Sequence, residues 1–277
     1  MKIGKIICSA LPCLVVALLM ADEAAAHDPI FGLGPHTLFK GGVEVHVGSF
    51  LDKSSRERSS DTELQLKYGI TSDWVAGLGI PYVRNSGWSE TESGRGATSF
   101  STKYRFWRKD MPGAQAATAV LGKVILDDAS SGQHGQTQRD GNDYLAGLTY
   151  GYEGRKWYRW ASVRHRFNND TASGAERSDM TLLDLVIGIR PTPTEYLQPD
   201  WVWMLELNGE ITENVTNLQG NNRFQIGGEQ WFISPGLMFT YRNFAVKIGL
   251  QVPIYDDVRA DQQTADYRAQ IEFEWHL

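Results

Sequence analysis

Hydrophobic and polar residues alternate with a period of two along almost the whole chain, the spacing of strands with one apolar and one polar face. At the C-terminus Tyr267, Ala269, Ile271, Phe273, Trp275 and Leu277 share one face, and Arg268, Gln270, Glu272, Glu274 and His276 share the other. Phe244, Val246, Ile248, Leu250, Val252 and Ile254 oppose Ala245, Lys247, Gly249, Gln251 and Pro253 in the same way. Leu64, Leu66, Tyr68 and Ile70 oppose Glu63, Gln65 and Lys67, and Trp201, Trp203, Leu205, Leu207 and Ile211 oppose Glu206, Asn208 and Glu210. The pattern predicts about 12 strands, an even number as in bacterial barrels. Their spans are 41–50, 62–70, 74–84, 97–107, 115–126, 143–152, 157–167, 180–190, 201–212, 229–240, 244–254 and 264–277. The faces of 115–126 and 157–167 are not assigned by the pattern.

The predicted connections alternate in length. Residues 71–73, 153–156 and 241–243 read as tight turns, with somewhat longer proline-marked links at 108–114 and 191–200. Long polar connections are expected at 51–61, 85–96, 127–142, 168–179, 213–228 and 255–263. Short turns on one side and long loops on the other suit an all-β, single transmembrane antiparallel barrel with both termini periplasmic. Trp74, Phe106, Trp107, Tyr150, Tyr152, Trp157, Tyr158, Trp160, Trp201, Trp203, Tyr241, Phe244 and Trp275 flank the short connections and predict an aromatic girdle there. Phe50, Tyr82, Trp88, Phe167 and Tyr255 suggest a thinner one at the far side. A soluble β-sandwich also alternates, but does not gather its large aromatics at one set of turns.

The first residues do not share the alternation. Lys2 and Lys5 precede an apolar run from Ile6 to Met20, and Ala24-Ala25-Ala26 offers a cleavage site. Residues 1–26 are therefore expected to be an export signal, 27–40 an N-terminal periplasmic or lumenal segment, and 41–277 the barrel. Both cysteines, Cys8 and Cys13, lie in the signal, so neither a disulfide nor a cysteine-ligated zinc site is expected in the exported chain. The net charge of −6 shows no basic balance suited to nucleic acid. A mean hydropathy of −0.35, with no long apolar run after residue 26, argues against a helical membrane protein but not against a barrel.

On this alternation the lumen receives Glu44, His46, Glu63, Gln65, Lys67, Lys103, Arg105, Asp184, Glu206, Asn208, Glu210, Lys247, Gln251, Arg268, Glu272 and Glu274. In a water-filled pore such charges set selectivity; in a narrow barrel they pair across the lumen and fill it. An enzyme requires a nucleophile and base in register. Ser162 and His165 come nearest, but three residues apart in a strand they face opposite ways. No catalytic residue and no cofactor are expected. His27, as the new N-terminus, would place an α-amine beside its imidazole, with His36 and His46 downstream, a candidate copper-binding set.

The C-terminal third carries a further pattern. Gly227-Gly228-Glu229-Gln230-Trp231-Phe232-Ile233-Ser234-Pro235-Gly236-Leu237 leads, through Ala245 to Leu250, into Gln251-Val252-Pro253-Ile254-Tyr255. Residues 227–277 resemble the outer-membrane transporter family named for the meta-pathway of phenol degradation, which is distantly similar to long-chain fatty-acid channels. The resemblance implies passage of small, often hydrophobic or aromatic compounds. The chain departs from the fatty-acid channel in lacking a long N-terminal hatch and in having fewer strands. Pro235, which has no amide donor, is expected at a bulge or break in the ladder.

The reading that follows is a Gram-negative outer-membrane channel for passive passage of a small solute. Its expected partners are outer-membrane lipid, the solute and, through the C-terminal strand, the barrel-assembly machinery. The alternatives are a copper-handling barrel using His27, His36 and His46, an outer-membrane enzyme, and an adhesion scaffold.

Overall fold

The computed structural model describes residues 27–277 except 56, 88–90, 131–140, 172–173, 195–197, 220–221 and 260–263. The segment expected to be an export signal, Trp88 and His134 therefore lie outside the described residues. The described residues form strands and no helix: β1 (Val43–Ser54), β2 (Arg58–Thr71), β3 (Trp74–Ser86), β4 (Thr91–Arg95), β5 (Ser99–Met111), β6 (Ala114–Ile125), β7 (Asp143–Gly154), β8 (Trp157–Phe167), β9 (Met180–Ile189), β10 (Asp200–Gln219), β11 (Asn222–Tyr241), β12 (Phe244–Val258) and β13 (Ala265–His276).

Consecutive barrel strands pair antiparallel, β3 with β5 past β4, and β1 pairs with β13 along Glu44↔His276 to Lys53↔Tyr267. That pairing closes a 12-stranded barrel, with β4 as an extra strand held only to β3. Closure leaves no long unpaired edge, which a lipid environment demands because no water is there to satisfy backbone amides.

The alternation fixes which face is which. Leu64, Leu66, Ile248, Leu250, Ile271 and Phe273 stand exposed on the outside, while Glu272, Glu274 and Lys247, from the same strands, are buried inside. Trp74, Tyr104, Phe106, Trp107, Trp157, Trp201, Trp203, Tyr241 and Trp275 are exposed around the short-turn end. Tyr158 and Trp160 are not part of that ring. They point inward, 6% and 3% exposed, because β8 carries aromatics on both faces and Trp157 takes the outward register. Phe50 likewise lines an internal cavity rather than an outer girdle.

Several expected connections are shorter than the sequence suggests. β5 and β6 continue to Met111↔Ala114, so 108–114 reduces to a Pro112-Gly113 turn. Pro112 presets the first corner and Gly113 takes φ 72°, the conformation of a type II turn. The polar segment 213–228 is mostly ladder, since β10 and β11 pair as far as Gln219↔Asn222. A bulge between Thr212 and Val215 sits opposite Gly227 and Gly228, at φ 136° and 110°. There Gly228 packs directly against the Asp257 carbonyl, which leaves no room for a Cβ. The β11–β12 ladder runs from Ile233↔Val252 to Gly236↔Gly249 and skips Ser234 and Pro235, the local break expected of that proline.

Candidate functional site: the occluded lumen

Residues 27–40 dip into the barrel from the short-turn end and return to it. His27 lies beside Glu274 and His276 near the end of β13, and Gly41 and Gly42 are tied to Gly69 of β2 by backbone hydrogen bonds. Between these points Pro29, Gly32, Gly34 and Pro35 keep the segment from forming a regular element, so its amides must find partners on the wall. Glu206 supplies most of them. Its carboxylate accepts hydrogen bonds from Ile30 N at 2.8 Å, Gly32 N at 2.9 Å and Phe31 N at 3.2 Å. Three successive amides around one anion form the concavity that favours negative charge.

Lysines from the wall hold the carbonyls. Lys103 Nζ donates to the Asp28 carboxylate at 3.0 Å and to Gly34 O at 2.8 Å, while Asp28 accepts from Gly34 N at 3.0 Å. Lys247 Nζ reaches Asp28 O at 3.2 Å, and Thr149 donates to Leu33 O at 2.6 Å. The apolar contribution is one cluster. Ile30 packs among Tyr158, Trp160, Val186, Val202, Met204 and Met238, with Phe31 against its edge. Gly249 leaves the wall flat where the segment passes: a Cβ there would stand 2.7 Å from Phe31 and 2.9 Å from Ile30. Gly249→Val is therefore expected to displace residues 30–31 while β12 stays in the barrel. Faster protease cleavage within 27–40 of an otherwise heat-modifiable barrel would register the change.

The anticipated lumen charges all face inward, and most are paired. Lys247 bridges Glu272 at 2.6 Å and Glu274 at 2.7 Å; Lys67 bridges Glu44 at 2.7 Å. His46 stands 3.5 Å from Glu272. Nearer the long loops Arg268 joins Glu210 at 2.6 Å and Asp52 at 2.8 Å, with its guanidinium 4.4 Å from the Phe232 ring centre. Asp184 accepts from Arg164 and Ser162, both at 2.5 Å, and from Asn208 at 2.9 Å. Glu63 lies 3.8 Å from Lys123. Arg105 is at the rim, where it bonds Asp73 of the β2–β3 turn and holds that carboxyl below the usual carboxylate range. The candidate metal set is divided: His27 meets Glu274, His46 meets Glu272, and His36 pairs with Glu153 at a different part of the wall.

Ser162 and His165 are separated as the strand period requires. Ser162 bonds Asp184, and His165 bonds Thr181 at 2.9 Å.

Two cavities of about 300 Å³ each flank the plug segment. One opens toward the long loops and includes Phe50, Asp184, Glu210 and Arg268. The other lies between the plug and the β2–β7 wall, and includes Lys103, Ser101, Leu121 and Lys123. Both are lined in part by Asp28, Leu33, Gln65, Lys67, Arg164 and Glu274. Asp28, Tyr158, Trp160 and Arg164 were not among the anticipated lumen residues. Asp28 carried one signal, a carboxylate in a proline- and glycine-bearing segment next to the expected cleavage point.

No protein-family model and no curated protein sequence matches the chain. Among solved structures, the COG4313 outer membrane channel from Pseudomonas putida F1 aligns with 92% of this chain and 100% of its own, at a TM-score of 0.63 and 11% identity. The NanC porin aligns with 85% of this chain and 100% of its own, at a TM-score of 0.48 and 12% identity. At such identities what the chain shares with the Pseudomonas putida F1 channel is the barrel fold.

Proposed function

We propose that the chain is a passive outer-membrane channel for a small solute, and that the path runs around the N-terminal plug through the two cavities. The observation that carries this reading is a pair of cavities beside the plug that share lining residues, among them Leu33, Gln65, Lys67 and Arg164, inside a closed barrel with an apolar exterior. An occluded barrel built only as a scaffold has no need of two cavities that share a charged lining. The likeness to a solved outer membrane channel supports both the membrane and the activity.

The lining also bears on the solute. Leu33, Leu38, Val75, Leu121 and Leu145 offer apolar surface, while Lys67, Lys103, Lys123 and Arg164 offer cations to the same space. A small aromatic or hydrophobic solute with a negative or polar group suits that lining, in keeping with the resemblance of residues 227–277 to the phenol meta-pathway family. Liposome permeation tests the path. Ser101→Trp places a large side chain in the second cavity and is expected to lower uptake of a small aromatic carboxylate several-fold, with the barrel still folded. Uptake unchanged by Ser101→Trp would place the path elsewhere.

A further inference from the structure

We infer that the start of the plug and the end of the closing strand form a binding site for one divalent transition-metal ion of the Cu(II) or Zn(II) class, ligated by His27, Glu274 and His276. One donor atom from each lies within 4.8 Å of the others, and all three residues are buried. The imidazoles meet edge to face with centres 5.1 Å apart. A second observation is independent of that proximity. Nε2 of His276 is buried without a hydrogen-bond partner among the described residues. Buried imidazole nitrogens are ordinarily satisfied, so this one invites a ligand.

The donor set selects the ion. Two imidazoles and a carboxylate suit zinc, copper or nickel, whereas calcium and magnesium prefer oxygen alone. Glu274 is already oriented: Lys247 holds Oε1 at 2.7 Å, leaving Oε2, 2.6 Å from His27 Nδ1, to face the imidazoles. A ligating carboxylate is usually fixed by such an outer partner. Glu44, 3.6 Å from His276 Nε2, stands within reach as a fourth donor. Charge permits the ion as well. Asp28, Glu44, Glu272 and Glu274 face Lys67, Lys103 and Lys247, one negative charge in excess while the imidazoles are neutral. Ligands in a tetrahedral zinc site stand roughly 3.3 Å apart, given bonds of about 2.0 Å. The cluster must therefore tighten on binding, and His27, at the end of an irregular segment, can move to do so. The bound ion would join the plug to β13.

The test is metal binding by the exported protein purified from membranes and stripped with chelator. Dialysis against Zn(II) or Cu(II) is expected to leave one equivalent per chain. His276→Gln and Glu274→Gln should each weaken retention at least tenfold while the barrel still migrates as folded. His27→Gln, which lies outside the barrel strands, serves if either strand variant misfolds. His36→Gln and His46→Gln should retain the ion. A folded wild-type protein that keeps no metal would overturn the assignment. Loss on His46→Gln with retention on His276→Gln would overturn it in favour of the neighbouring His46, Glu272 and Glu274 group.

Discussion

Glu206→Ala is expected to release the plug and raise single-channel conductance by an order of magnitude or more. The reason is a mismatch in what the substitution removes and what it leaves. One carboxylate accepts from three successive amides, Ile30, Phe31 and Gly32, in a site where Glu206 is 1% exposed. Without it those amides stay buried with no acceptor, at a cost of about 1–3 kcal/mol each. The neighbouring anchors, the Ile30 cluster, the lysine contacts to Asp28 and Gly34 O and the Thr149 bond to Leu33 O, offer no acceptor to these three amides. Glu206→Gln keeps one acceptor oxygen and should fall between wild type and Ala. Equal conductance in all three proteins would mean that the plug is held by something other than this carboxylate.

Lys247→Met is expected to destabilise the barrel itself. Lys247 is 2% exposed and bridges both Glu272 and Glu274, so its loss removes the cation these two buried carboxylates of β13 share. Removing one partner of a buried ion pair costs about 3–5 kcal/mol, because the other charge remains. The temperature at which the barrel loses its compact electrophoretic mobility should drop clearly. The triple variant Lys247→Met, Glu272→Gln, Glu274→Gln should recover most of the loss, since no charge is left unpaired. A single variant as stable as wild type would show that water reaches these carboxylates in the lumen.

The barrel was legible wherever one strand face meets an apolar surround and the other meets the lumen. β12 and β13 are plain in the sequence for that reason, and Ile248 and Lys247 stand on opposite faces as their alternation requires. Legibility ended where that contrast ends. β4, Thr91 to Arg95, has no apolar side chain, so no period marks it although it pairs with β3. β8 failed in the other direction. Trp157, Tyr158 and Trp160 put aromatics on both faces, and only the plug, which needs Tyr158 and Trp160 as its apolar seat, accounts for the inward pair. The lumen charges could be enumerated from the alternation, but their partners could not. Lys103 with Asp28, or Glu206 with Ile30 to Gly32, are contacts across the barrel between residues far apart in the chain. No strand period encodes them.

The central claim is that a channel runs through this barrel and that residues 27–38 narrow it. Single-channel recording in a planar bilayer compares the exported protein with a variant lacking those residues. The account predicts small discrete openings in the first and much larger, less selective ones in the second. Two folded barrels that are equally silent, or equally conductive, would contradict it.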